Sequence, residues 1–123
     1  MQRLLVAAMA FAIAVPAEAA AQQRTGVQAA FGNTIVSTYP DGRTGKLWLN
    51  ADGTYTAVGR RRKPSSGVWK VRGGKICLSQ KKPRPGPISY CTAFPANGGV
   101  GASWPGRAVT GERIRISLVA GKQ

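Results

Sequence analysis

Four consecutive cations, Arg60-Arg61-Arg62-Lys63, stand in the stretch GRRRKPSSGVWKV, between a glycine and a proline. Such a run either grips an anion or keeps a loop solvated. The other reactive residue types narrow the choice. Histidine is absent from the chain, so no Ser-His or Cys-His pair is available to activate a nucleophile. Past residue 19 the acids are Asp41, Asp52 and Glu112. Asp41 (Pro-Asp-Gly) and Asp52 (Ala-Asp-Gly) occupy turn positions that favour aspartate for backbone reasons, and they fall at opposite ends of the sheet argued below. Gly98-Gly99-Val100-Gly101 precedes no helix and reads as a loop rather than a phosphate cradle. Cys77 and Cys91 lie outside any CxxC motif, which leaves no zinc or copper ligand set and no redox pair. No catalytic residue, cofactor or metal is expected, and the chain is not expected to be an enzyme.

The net charge is +14. Such a charge repels itself and biases the choice of partner strongly toward anions. It also argues against an inhibitor of basic lytic enzymes, which should be acidic. Residues 1–19 read as a signal peptide. Arg3 supplies the positive end, residues 4–15 form an apolar core, Pro16 breaks it, and Ala17-Glu18-Ala19 offers small residues for cleavage. The core is too short to span a bilayer, and no later stretch is apolar enough to cross one. Removing residues 1–19 takes away one cation, Arg3, and one anion, Glu18, so the charge is unchanged. The remainder divides into an N-terminal segment over 20–33 and a β domain over 34–123. An exported destination, periplasmic or secreted, makes a Cys77–Cys91 disulfide the expected fate of the two thiols.

The elements that must position the cations follow from periodicity. Thr25-Gly26-Val27-Gln28 has the form of a capping box, and Gly32 is a stop, which predicts one short helix over 26–31. After it the period becomes two. Strands are expected over 34–39, 46–50, 54–59, 67–72, 75–79, 88–93 and 113–119, separated by turn signals such as Asp52-Gly53 and Gly73-Gly74. Ile114, Ile116 and Leu118 oppose Arg113, Arg115 and Ser117. Trp69 and Val71 oppose Val68, Lys70 and Arg72, and Ile76 and Leu78 share a face with Ile88 and Tyr90. The fold class is all-β: an antiparallel up-and-down meander of about seven strands, closed into a small barrel or sandwich. Pairing 75–79 with 88–93 places Cys77 opposite Cys91, as a cross-strand disulfide requires.

In a meander, alternate connections gather at the same end. The turn near 40–45 and the loops 60–66 and 80–87 then bring Arg43, Arg60, Arg61, Arg62, Lys63, Lys81, Lys82 and Arg84 to one rim, with Lys46 at the start of its strand and only Asp41 opposing them. Arginine holds phosphate or carboxylate through paired hydrogen bonds, and these nine cations are the candidate anion-binding residues. Aromatic placement favours other anions over nucleic acid, because Trp69 and Tyr90 fall on the core face rather than among the cations, where bases would stack. Trp104, in the irregular stretch 95–106, has two readings: a plug at one end of the barrel, or an exposed ligand contact.

FGNTIVSTYPDGRTGKLWLNADGTYTAVGRRR, GVWKVRGGKICL and SYCT together resemble a group of small exported alphaproteobacterial proteins. These share an Asp-Gly-Thr-Tyr hairpin (Asp52 to Tyr55), a Gly-x-Trp-x-Val strand (Gly67 to Val71) and two late cysteines. The resemblance covers most of residues 31–119 and implies a fold rather than an activity. The Gly-x-Trp element is also faintly similar to that of lipocalin-type barrels, which would imply a cavity for a small apolar ligand. The function expected from the residues is binding of an anionic envelope component, such as lipopolysaccharide, an anionic glycan or a phospholipid. The alternatives are a structural or protein-interaction module, or a carrier of a small apolar ligand.

Overall fold

The strict alternation of residues 113–119 is realised in space: Ile114, Ile116 and Leu118 are buried, whereas Arg113 and Arg115 face solvent. The computed structural model describes residues 26–86 and 89–123. The leader expected over 1–19, the start of the 20–33 segment and Ile88 lie outside the described residues. Eight strands form one antiparallel sheet: β1 (Thr34–Thr38), β2 (Thr44–Leu49), β3 (Thr54–Val58), β4 (Pro64–Arg72), β5 (Lys75–Lys82), β6 (Tyr90–Ala93), β7 (Ser103–Arg107) and β8 (Arg113–Val119). The order across the sheet is β6-β5-β4-β3-β2-β1-β8-β7. This is an up-and-down meander rolled into a nearly closed barrel, one strand more than the pattern predicts.

The extra strand is β7, Ser-Trp-Pro-Gly-Arg, in the stretch expected to be an irregular loop. Pro105 and Gly106 hide it from any propensity argument. Proline is tolerated because β7 ends the sheet, pairing with β8 alone. Gly106 lets Ile116 pack closely over β7: a Cβ there would lie 2.4 Å from Ile116 Cδ1, so that side chain would have to turn aside. Two expected loops also shorten. β4 begins at Pro64, leaving a tight turn over 59–63, and β5 runs on to Lys82. Near their ends the β4–β5 register shifts, with Gly67 opposite Gln80 and Ser66 opposite Lys82.

β6 and β7 close the barrel without a ladder. Trp104 Nε1 donates to Ala93 O at 2.9 Å, and the Tyr90 hydroxyl donates to Arg107 O. The Trp104 ring meets Phe94 edge-on at 4.9 Å. Trp104 is therefore buried, 6% exposed, which removes the exposed reading of that residue. One end of the barrel is stoppered by a single turn of 3-10 helix, Gly26–Ala30, and by residues 94–102. Ala29 and Ala30 are buried, Gly26 N donates to Gly98 O at 2.7 Å, and Phe31 packs on Trp69 at 5.9 Å. A 3-10 turn rather than an α-helix suits so short a piece. Val71, expected inside with Trp69, is 52% exposed because it lies at the strand end beyond the core.

Cys77 and Cys91 face each other across β5 and β6, with Cα atoms 4.0 Å apart, and form the expected disulfide on the outer wall. Among the described residues no helix is long and apolar enough to cross a membrane.

Candidate functional site

Four of the hairpins are closed by the same pair of backbone bonds. In 39–43, Tyr39 N donates to Arg43 O and Gly42 N to Tyr39 O; the pattern repeats in 50–54, 59–63 and 108–112. The geometry needs a left-handed residue in the fourth place. Glycine supplies it as Gly42 (φ 85°), Gly53 (φ 89°) and Gly111 (φ 88°), but in the fourth hairpin Arg62 adopts φ 63°. A side chain in that conformation costs on the order of 1 kcal/mol. The chain keeps a cation where its other three turns of this kind use glycine.

Three of these hairpins, 39–43, 59–63 and 108–112, meet at the end opposite the helical stopper. β5 delivers Lys81 and Lys82, both exposed, to the same end, followed by Arg84. Arg61, Arg62 and Lys63 are exposed at the tip of the 59–63 hairpin. The expected convergence of the alternate connections is therefore present, although Lys81 and Lys82 ride on a strand end rather than in a loop. Lys46 stands apart. It is the third residue of β2, paired laterally with Val36 and Val58, and so takes the wall positions that alternate with the inward Gly45 and Leu47.

Two of the cations are already engaged. Arg60 lies across the Tyr39 ring at 4.4 Å. Its guanidinium holds Glu112 with two hydrogen bonds, 2.7 Å to Oε1 and 3.2 Å to Oε2, and passes 3.9 Å from Asp41. Arg43 pairs with Asp41 at 2.8 Å. Hydrogen bonds from Arg43 lower the Asp41 pKa; those from Arg60, then Thr110, lower that of Glu112. Arg60 is itself held more firmly protonated by Glu112. Arg60 thus acts as a brace tying three hairpins together, and Asp41 and Glu112 are both neutralised within the structure. Among the described residues no carboxylate lies within 4.0 Å of Arg61, Arg62, Lys63, Lys81, Lys82 or Arg84. Glu112 escaped the sequence reading because its hairpin exists only once β7 is recognised.

A carboxylate whose folded pKa is depressed contributes stability above its unfolded pKa, and that contribution is lost as pH falls through the folded value. Arg60→Met is therefore expected to lower stability near neutrality. The gap to the native chain should narrow in acid, well below the ordinary glutamate value of 4.5. Urea midpoints at the two pH values check this. An unchanged gap would assign the brace to stacking on Tyr39 instead of the ion pair.

The tryptophans lie away from these cations. Trp48 donates to Thr34 Oγ1 at 2.9 Å, Trp69 to Asn50 O at 2.9 Å, and Trp104 belongs to the seam. The ring among the cations is Tyr39, already covered by Arg60. At this end of the barrel a cavity of about 630 Å³ runs from Tyr39, Lys46, Val58, Gln80 and Val109 toward Tyr55 and Ile114. A second void of about 40 Å³ lies against Trp104 and Phe94 and shares Ser37, Leu47 and Tyr90 with the first. Among the described residues no cluster of histidine, cysteine or acidic side chains could hold a metal.

The fold and the site together define an eight-stranded antiparallel barrel, stoppered at one end and open at a cationic mouth. Comparison with known proteins finds no matching family model, curated protein or solved structure.

Proposed function

We propose that this protein is an exported binder of an anionic component of the cell envelope, such as lipopolysaccharide, an anionic glycan or a phospholipid headgroup, held at the mouth of the barrel. One observation carries the reading. Arg61, Arg62, Lys63, Lys81, Lys82 and Arg84 are carried to one end of the barrel by the 59–63 hairpin and by the end of β5 with the loop beyond it, while the two carboxylates nearby are spent on Arg43 and Arg60. Cations left without internal partners on a shared rim focus field outward and attract polyanions in a salt-dependent way. Export is supported by the disulfide. Nucleic acid is the poorer partner, since among the described residues no free aromatic platform stands beside the cations.

The test is the variant Arg61→Ser/Arg62→Gly/Lys63→Ser. Arg60 is left in place because it braces the mouth, and glycine at 62 suits the left-handed turn, so the fold should be retained. Taking about 1 kcal/mol per cation near an anionic surface, binding to phosphatidylglycerol vesicles should weaken roughly a hundredfold. Retention of the native protein on heparin should fall as salt rises. Equal binding of native and variant chains, or retention insensitive to salt, would overturn the proposal.

A further inference from the structure

The hollow of the barrel has a cause in the sequence. Toward the stopper the inward positions carry Ile35, Leu49, Tyr55, Ile76, Trp104 and Leu118, and these large side chains leave only the void of about 40 Å³. Toward the mouth, four consecutive strands turn Ser37, Gly45, Ala57 and Ser65 inward, paired as Ser37–Gly45 and Ala57–Ser65. An eight-stranded barrel is wide enough for side chains to fill it or for one small ligand to take their place. Here small residues hold the upper half open, with Leu47, Leu78 and Tyr90 giving it an apolar wall. The void of about 630 Å³ falls within the range of small-molecule sites.

We infer that the lumen receives the hydrocarbon chain of a single-tailed anionic amphiphile, such as a fatty acid or lysophospholipid, whose charged head rests among the cations of the mouth. This rests on the proposed function and assigns the rest of the ligand. Three features agree. The cavity lies at the cationic end of the barrel, reaching Tyr39, Gly59 and Gln80, beside the hairpin and strand end that carry the free cations. Its lining is mostly apolar, so it favours hydrocarbon over sugar. Allowing a methylene about the volume of a water molecule, roughly 30 Å³, the void accommodates on the order of twenty non-hydrogen atoms. That matches one chain rather than the several of lipopolysaccharide, which at most would present its phosphates to the rim.

A homologous series of straight-chain carboxylates, kept below their micelle concentrations and competed against a fluorescent fatty acid, reads the lumen directly. Burying each added methylene should tighten binding about fourfold until the lumen is full, after which the gain stops. Alcohols of equal length should bind more weakly, because they bring no charge to the mouth. Ala57→Phe/Ser65→Leu adds eight non-hydrogen atoms to the lining, roughly 240 Å³ on the same scale. It should weaken binding of dodecanoate, bring the chain length at which the gain stops down by about eight methylenes, leave heparin retention unchanged and raise the melting temperature. Ser65→Leu alone, with a partial loss of binding, decides the matter should the double variant fail to fold. A flat chain-length series, or undiminished dodecanoate binding in these variants, overturns the lumen site while leaving the cationic rim standing. Chain-length dependence with alcohols equal to carboxylates, and no heparin retention, overturns the anionic class and the rim together, leaving a neutral apolar cup.

Discussion

Gly67→Ala is expected to destabilise the barrel strongly by forcing β4 away from β5. A Cβ at this position would lie 2.0 Å from Ser79 O, 2.9 Å from Ser79 C and 3.0 Å from Gln80 Cα. All three are backbone atoms of β5, so no rotamer change relieves the overlap. The β4–β5 ladder would have to part where its register already shifts, beside the pair Gly67–Gln80. Overpacking in a tight site typically costs 1–3 kcal/mol, and an unyielding backbone places this change at about 3 kcal/mol or more. For a domain of this size the melting temperature should fall by roughly 12 °C at least. Gly59→Ala is the matched control: no atom lies within 4 Å of its Cβ, and the residue is absent from the left-handed set. It should change stability by less than about 1 kcal/mol. A Gly67→Ala chain that melts with the native one would mean β4 and β5 are farther apart than described.

Removing the disulfide should be nearly as damaging. Cys77 and Cys91 are separated by 14 residues, and closing a loop of this length contributes about 3 kcal/mol by the chain-entropy relation. Cys77→Ser/Cys91→Ser should therefore lower the melting temperature by roughly 12–24 °C. The loss should also be uneven. β6 is four residues long, pairs only with β5, and otherwise depends on the side-chain contacts of the seam. Hydrogen exchange in the variant should speed first at residues 90–93 and the neighbouring part of β5, before the β1–β8 ladder responds. Uniform acceleration across all strands would mean the bond acts on the whole barrel through the unfolded chain alone.

Much of this architecture is legible in the residues. The alternation at 113–119 and the Asp-Gly and Gly-Gly turns suffice for an antiparallel meander, and the opposition of Cys77 and Cys91 follows from pairing two strands. The gathering of Arg43, Arg60, Arg61, Arg62, Lys63 and Arg84 follows from alternate turns sharing an end. Three features are not legible, each for a reason of register. β7 is masked by Pro105 and Gly106, residues that suit a terminal strand and a close approach to Ile116 but no propensity scale. Arg60 reads as one cation among four until the β7–β8 hairpin brings Glu112 to it. The lumen depends on Ser37, Gly45, Ala57 and Ser65, unremarkable singly, and only their position toward one end of adjacent strands makes a void. Lys46 differs only in its place along the strand: β2 begins at Thr44, so Lys46 lies two residues in from the turn and beside the cavity.

The order of strands around the barrel carries a last consequence. Thr34 sits opposite Val119, so the chain enters and leaves the sheet side by side, whereas the break in the ladder lies elsewhere, between β6 and β7. Every other neighbouring pair is joined by a local hairpin. The β1–β8 pairing alone must recruit partners from the two extremes of the polypeptide, and the entropy of closing so large a loop is met before that ladder returns anything. A circularly permuted chain, fused at its native termini and opened within residues 94–102, would run β7-β8-β1 through β6. Sequence neighbours would then be sheet neighbours throughout, and barrel formation would no longer wait on the meeting of distant ends.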